Sequence, residues 1–96
     1  MRTRDELIRL LHQHRTTLRE RFAVRRIGLF GSAVHGQTRP GSDVDVLVEF
    51  EHPTFDHYME LKFFLEDLFQ APVDLVLADS LKPRIKPRVL AETVYA

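Results

Sequence analysis

Three aspartates, Asp43, Asp45 and Asp74, stand among apolar residues in this sequence. Asp43 and Asp45 are separated by one residue, so on a strand both side chains point to the same face, with Cα atoms about 6.5–7 Å apart. Two carboxylates in that arrangement can bind one or two hard cations, and paired ions about 3.5–4 Å apart are typical of phosphoryl-transfer sites. Oxygen ligands alone favour Mg²⁺, or Mn²⁺, over zinc or copper.

The two aspartates also have simpler interpretations. Asp43 follows Pro40-Gly41-Ser42 and is compatible with an ordinary turn residue. Asp45 is harder to explain in that way because Val44 and Val46 flank it, and a carboxylate in apolar surroundings costs stability unless it is paired or bound to a metal. A metal site and a turn followed by a partly buried acid both remain open at this point.

Gly31 and Ser32 follow a short apolar run, which predicts a strand that enters a turn. Such a turn can present backbone N–H groups to phosphate oxygens, and the Ser32 hydroxyl can donate to a β- or γ-phosphate. An ordinary strand-to-helix turn is the alternative. A phosphate cradle beside cation ligands is chemically coherent, since the cation neutralises the charge that the cradle holds.

Asp74 lies at the start of another apolar run, between Val73 and Leu75. If that strand pairs with the strand over 44–50, its carboxylate can reach the same pocket and help to deprotonate an acceptor hydroxyl. A solvent-facing strand end is the alternative. Arg39 either reaches the triphosphate or pairs with a nearby carboxylate.

Helix and strand alternate along the chain, and this order predicts an α/β fold of the α+β type. We expect a small mixed sheet of three to four strands with helices packed on it, in a single domain over 1–96. Thr3 and Glu6 match a capping box for the first helix, and Pro72 ends the second. The predicted helices cover 4–22, a segment between Pro53 and Pro72, and 80–90, and the predicted strands cover 24–30, 44–50 and 73–78.

Composition narrows the classes of function. The 96 residues carry 14 Lys and Arg against 14 Asp and Glu, and this balance argues against a general nucleic-acid binder. The absence of cysteine excludes disulfides and thiolate metal sites. No signal-peptide pattern and no apolar run near the ~20 residues of a membrane span are present, so a soluble, cytoplasmic protein is expected. A basic run, Lys82, Arg84, Lys86 and Arg88, is interpreted first as a solvated face and second as a patch for an acidic partner or for nucleotide phosphates.

The combined pattern resembles the nucleotidyltransferase superfamily that includes DNA polymerase β. Within it, the small size and close spacing resemble the minimal nucleotidyltransferases, the MNT or MntA-like antitoxins. The resemblance covers most of the chain. The residues that carry it are Gly31-Ser32, Gly36, Ser42-Asp43, Asp45 and Val73-Asp74-Leu75-Val76.

This resemblance implies a partner and a reaction. Family members neutralise a small helical HEPN toxin, an RNase, and active ones transfer AMP from ATP to a tyrosine hydroxyl of that toxin, by in-line attack on the α-phosphate with release of pyrophosphate. By resemblance, Asp43, Asp45 and Asp74 form the catalytic and metal-binding triad, with two Mg²⁺ ions. The nucleotide-binding residues would be Gly31, Ser32, His35, Arg39 and Ser42.

Two departures from the family pattern stand out. Many relatives carry an arginine where this chain has Val34 or His35, and His35 is only partly charged near neutral pH. Gln70 stands where a helix-ending glycine is common. Two rival functions remain: an antitoxin that neutralises its toxin by binding alone, and an enzyme that nucleotidylates a small molecule such as an aminoglycoside.

Overall fold

A computed structural model describes residues 3–35 and 43–96, in which four strands form one mixed sheet in the order β3-β2-β1-β4. β1 (Val24–Leu29) lies antiparallel to β2 (Val44–Phe50) and to β4 (Val94–Tyr95). β3 (Val73–Leu77) runs parallel to β2. Four helices pack on this sheet, which confirms the predicted fold class.

The first helical segment is two helices, α1 (Arg4–Gln13) and α2 (Arg15–Phe22), so the prediction of one helix over 4–22 was wrong. The chain leaves helical geometry at His14 (φ −103°, ψ 15°), whose Nδ1 lies 2.8 Å from the Leu10 carbonyl oxygen. Both helices reach the core, since Leu7 and Leu11 of α1 and Leu18 and Phe22 of α2 are buried. The predicted cap at Thr3 is confirmed, since its Oγ1 accepts the N–H of Glu6 at 3.2 Å.

The helix α3 (Phe55–Phe69) connects the parallel strands β2 and β3. Thr54 caps its start by accepting the N–H of His57 at 3.0 Å. The helix ends at Gln70, which takes the left-handed conformation (φ 53°, ψ 44°) that favours glycine. The Tyr58 hydroxyl donates to the Leu75 carbonyl at 2.7 Å and ties the helix to β3.

The C-terminal segment differs from the prediction in two ways. The helix predicted over 80–90 is α4 (Lys86–Glu92), because Pro87 is tolerated only in a first turn, where its missing N–H has no partner to lose. Residues Ala78–Ser80 form a 3₁₀ turn instead. The end of the chain forms a strand that was not among the three located in the sequence, and this strand, β4, pairs with β1 at the edge of the sheet.

The helices α1, α2 and α3 cover one face of the sheet. Val44, Val46 and Val48 of β2 are buried in that core together with residues of the three helices. Because side chains alternate along a strand, Asp45 and Leu47 point to the other face. Leu47 is only 1% exposed, so the second face is covered at its centre. None of the helices in residues 3–35 and 43–96 is both long and apolar enough to cross a membrane.

Candidate active site

Three chain segments that the sequence singled out meet at one edge of the sheet. β1 ends at Leu29, opposite Val46 near the start of the antiparallel β2. β3 starts at the same edge because it is parallel to β2, and Asp45 is paired in register with Asp74. The strand pairing that the sequence left as a condition is therefore present.

The turn that follows β1 is built against Asp45. Gly31 has φ +62°, a conformation that side chains rarely adopt, and a Cβ placed on it would overlap Oδ2 of Asp45 and lie 3.2 Å from its Cγ. The Ser32 backbone N–H donates to the Asp45 carboxylate, and the Phe30 N–H donates to the Asp45 carbonyl at 3.1 Å. Residues Gly31–Ala33 form the helical turn expected after the strand.

The donors of this turn are already engaged, and this corrects the expectation of free N–H groups at Gly31 and Ser32. The Gly31 N–H donates to Oε1 of Glu92 at 3.0 Å, and the Ser32 N–H donates to Asp45. Protein carboxylates therefore hold both groups. A phosphate contact by either N–H would have to replace one of these bonds.

Asp45 is half-buried and surrounded by negative charge. Its burial raises the pKa of its carboxyl group above the ordinary value, and the nearby carboxylate of Asp74 raises it further. The Ser32 N–H lowers this pKa by stabilising the charged form, whereas Asp43 and Glu92 act in the same direction as Asp74. This concentration of negative charge is what a bound divalent cation would neutralise.

The predicted metal triad is only partly assembled. Asp43 directly precedes β2 and is exposed, as is Asp74, while Asp45 is more buried than either. Within residues 3–35 and 43–96, no group of three or more His, Asp or Glu side chains lies close enough together to hold a metal ion. Like charges repel one another when no cation is between them, so the three aspartates as joint ligands stay a prediction.

Other predicted site residues have mixed placement. His35 is exposed, and its Nε2 lies 3.7 Å from Oε2 of Glu92. Arg39 and Ser42, together with Gly36 of the family pattern, lie outside the described residues, so their roles stay predictions.

Glu92 is the site residue that sequence reasoning missed. It ends α4, within a segment that contains no recognised spacing of acidic residues, and it lies 61 positions along the chain from its partner Gly31. Only the antiparallel pairing of β4 with β1 brings it to the site. No local pattern signals that pairing.

A cleft of about 630 Å³ opens on the sheet face that carries Asp74. Val76 lines it and shares a face of β3 with Asp74, two residues away. Three of the four basic residues of the C-terminal run also line it. The lining residues are Val76, Ser80, Leu81, Lys82, Arg84, Ile85 and Arg88.

The fold is that of a minimal nucleotidyltransferase. A solved structure described in those terms is 34% identical and superposes with a TM-score of 0.81, over 97% of this chain and 95% of the other. The chain belongs to the nucleotidyltransferase domain family, which it matches over residues 11–96. The resemblance seen in the sequence is thereby confirmed.

Two further proteins show how close the likeness is. The protein adenylyltransferase MntA of Thermococcus cleftensis is 48% identical over 96 residues, which cover 99% of this chain and 97% of that protein. A chain from a complex of a tri-AMPylated Shewanella oneidensis HEPN toxin with an MNT antitoxin has a TM-score of 0.62 at 21% identity. That match covers 91% of this chain and 69% of the other, and it concerns the fold alone.

Proposed function

We propose that this nucleotidyltransferase transfers AMP from ATP to a hydroxyl group of a partner protein, a tyrosine of a HEPN toxin, and so acts as the antitoxin of a toxin–antitoxin module. The observation that carries the proposal is the Gly31–Ser32 turn built onto Asp45, with Asp74 in register beside it. The relative that is 48% identical along nearly its whole length is a protein adenylyltransferase, which supports AMP as the transferred group.

Asp43, Asp45 and Asp74 would hold Mg²⁺, with Mn²⁺ as a substitute. Their donor atoms are all carboxylate oxygens, which suit these hard cations. The pKa of Asp45 is raised by its burial first and by the neighbouring carboxylates second, and a bound cation would neutralise that negative charge. When bound, Mg²⁺ neutralises charge that develops on the phosphate oxygens during transfer. Two ions are expected from the family resemblance.

The remaining roles fall to the residues around the aspartates. The Ser32 hydroxyl and the exposed His35 side chain would contact the triphosphate, with Arg39 and Ser42 assigned to the same task by the sequence. Asp74, which is exposed at the start of β3, would accept the proton of the incoming hydroxyl. The hydroxyl oxygen then bonds to the α-phosphorus, the bond from that phosphorus to the β-phosphate bridge breaks, and pyrophosphate leaves.

The acceptor would bind in the basic cleft, on the sheet face that carries Asp74. Lys82, Arg84 and Arg88 give this cleft a positive rim, and Leu81 and Ile85 give it an apolar part. Such a mixed surface suits a protein segment better than a small sugar. Because ATP is a cytoplasmic metabolite, the proposed reaction implies a cytoplasmic protein.

The test is the intact mass of the candidate toxin after incubation with this chain, Mg²⁺ and each nucleoside triphosphate in turn. The control is Asp43→Asn/Asp45→Asn, which keeps the shape of both side chains and removes their charge. A mass gain of one or more AMP units, absent in the control, is expected with ATP only.

Two other results would favour the rival functions. A stable complex whose toxin gains no mass with any triphosphate would indicate an antitoxin that acts by binding alone. Nucleotidylation of a small molecule such as an aminoglycoside, without any protein partner, would indicate the small-molecule enzyme. Complex formation that survives in Asp43→Asn while transfer is lost would separate catalysis from binding.

A further inference from the structure

Glu92 connects the last helix to the turn at the active site. Its Oε1 accepts the Gly31 N–H at 3.0 Å, and its Oε2 lies 3.7 Å from Nε2 of His35. Its side chain is 35% exposed, so water screens it only in part. It is also close enough to Asp45 to raise the pKa of that carboxyl group.

The position of Glu92 depends on the strand that follows it. β4 pairs with β1 through Gly28 and Tyr95, and the Ala96 N–H donates to the Ile27 carbonyl at 2.9 Å. β4 lies so close to β1 that a Cβ on Gly28 would be 2.6 Å from the Val94 carbonyl oxygen. β4 therefore anchors the end of α4 directly beside the turn.

Two carboxylates hold this turn from different parts of the fold. Asp45 on β2 accepts the N–H of Ser32, and Glu92 on α4 accepts the N–H of Gly31. The hydrogen bond from the Gly31 N–H to Glu92 orients the Phe30–Gly31 peptide, and the bond from the Ser32 N–H to Asp45 orients the next peptide, on either side of a glycine with left-handed backbone conformation. The two bonds together set the direction of the Ser32 side chain.

We propose that Glu92 is a positioning residue, which fixes the Gly31–Ser32 turn for the bound nucleotide and so makes the C-terminal segment part of the active site. This inference rests on the proposed function, since it assigns the turn to the nucleotide. The alternative is competition with the nucleotide. In that case the Glu92 carboxylate accepts the Gly31 N–H only while no phosphate oxygen is bound, and it is displaced when ATP binds.

Two substitutions separate positioning from competition. Glu92→Ala removes the acceptor, whereas Glu92→Gln keeps an acceptor oxygen of similar reach and removes the charge. For a positioning residue, Glu92→Ala weakens nucleotide binding by about 10-fold or more, as expected for loss of a hydrogen bond to a charged group. Glu92→Gln recovers most of that loss. We expect the KM for ATP to rise more than kcat falls, because all three aspartates remain in place and Glu92 is the smallest of the charges that act on Asp45.

The direct reporter is the Gly31 amide resonance in ¹⁵N–¹H spectra of the whole chain, followed by nucleotide titration and thermal denaturation of each variant. We expect the Gly31 signal to move strongly in Glu92→Ala and less in Glu92→Gln. Glu60→Ala, which removes an exposed glutamate of α3, is the matched control and should leave both the signal and the affinity as they are.

Each contrary result has a distinct meaning. Tighter nucleotide binding by Glu92→Gln or Glu92→Ala would overturn positioning in favour of competition. A Gly31 amide resonance that does not move in either variant would overturn the contact between Glu92 and Gly31. Failure of the unaltered chain to bind any nucleotide would overturn the proposed function, and with it the role of Glu92 in affinity, while the Gly31 signal would still report whether Glu92 holds the turn.

Discussion

Gly31 and Asp45 occupy a space that leaves no room for a side chain on the glycine, because a Cβ there would overlap the Asp45 Oδ2. The turn and the acid come from different strands, β1 and β2, yet each restricts the other. The Ser32 N–H donates to the same carboxylate, so the shape of the turn and the rotamer of Asp45 are set together. Nucleotide binding and metal binding are expected to be coupled through this contact.

Gly31→Ala should therefore damage both stability and activity. The left-handed backbone alone costs an alanine about 1–2 kcal/mol, and displacement of Asp45 should lower transfer by about 100-fold. Chemical denaturation and the rate of AMP transfer measure the two effects. In an Asp45→Ala background the clash is absent, so Gly31→Ala should destabilise less there. Equal destabilisation in both backgrounds would contradict the steric relation.

Asp45→Asn should stabilise the metal-free protein at neutral pH. The pKa of Asp45 is raised in the folded state, so the protonated group contributes stability below the unfolded pKa, and this is lost as pH rises through the folded pKa. Asparagine avoids that loss. The check is thermal denaturation without divalent ions from about pH 4 to pH 8, the range in which acidic groups with raised pKa values titrate. Asp45→Asn should be more stable than the unaltered chain, and the difference should grow with pH.

Addition of Mg²⁺ should reverse this ranking. A cation on Asp45 favours its charged form, so Mg²⁺ should raise the Tm of the unaltered chain and leave Asp45→Asn nearly unchanged. An equal rise in Tm for both proteins on addition of Mg²⁺ would show that Mg²⁺ binds elsewhere.

Gly28→Val should disconnect the C-terminal segment from the site. A Cβ at Gly28 would lie 2.6 Å from the Val94 carbonyl oxygen and 2.9 Å from Cγ2 of Thr93, so the valine displaces β4 and with it Glu92. We expect nucleotide affinity to fall about as far as in Glu92→Ala, by roughly 10-fold or more. Faster proteolysis of the C-terminus would report the displacement, and unchanged affinity despite that proteolysis would show that β4 does not serve the site.

Gln70→Gly should stabilise the protein by about 0.5–1 kcal/mol, because glycine adopts the left-handed conformation without the penalty that a side chain incurs. The gain is reduced by loss of the Gln70 Nε2 hydrogen bond to the Asp67 carbonyl. Urea denaturation measures it. Gln13→Gly is the matched control: Gln13 also stands at the end of a helix but within α1, so glycine there should destabilise.

Arg84→Glu/Arg88→Glu should weaken modification of the partner and leave ATP binding intact. Both residues line the cleft on the Asp74 face, and reversal of their charge repels an acidic segment. We expect kcat/KM for the partner to fall by about 10-fold at low salt, and by less as salt screens the repulsion. Arg19→Glu, on the exposed side of α2, is the control. An equal loss of ATP affinity would instead place the nucleotide in the cleft.

The parts of the fold that the sequence predicted are those with strong local signals. The apolar run of β2 and the helical stripe of α3 each bury a face by themselves, so their type and extent follow from residue spacing. The break at His14 and the late start of α4 were missed because each depends on a competition. At His14, the contact of the ring Nδ1 with the Leu10 carbonyl oxygen competes with regular helix geometry, and around Pro87 the helix can begin only where proline is tolerated.

The sequence by itself indicated the class of chemistry and the candidate residues: Gly31 and Ser32 in one turn, and Asp43, Asp45 and Asp74 at or next to strand starts. Each of these residues lies in a short segment whose conformation, a turn or a strand, can be inferred from its neighbours in the sequence. Only the tertiary structure decided that Asp45 and Asp74 share a register, that Asp45 and Glu92 take the N–H groups of the turn, and that β4 closes the sheet. These contacts join residues that are far apart in the chain. Strand pairing and side-chain packing determine them, and no local sequence pattern encodes either.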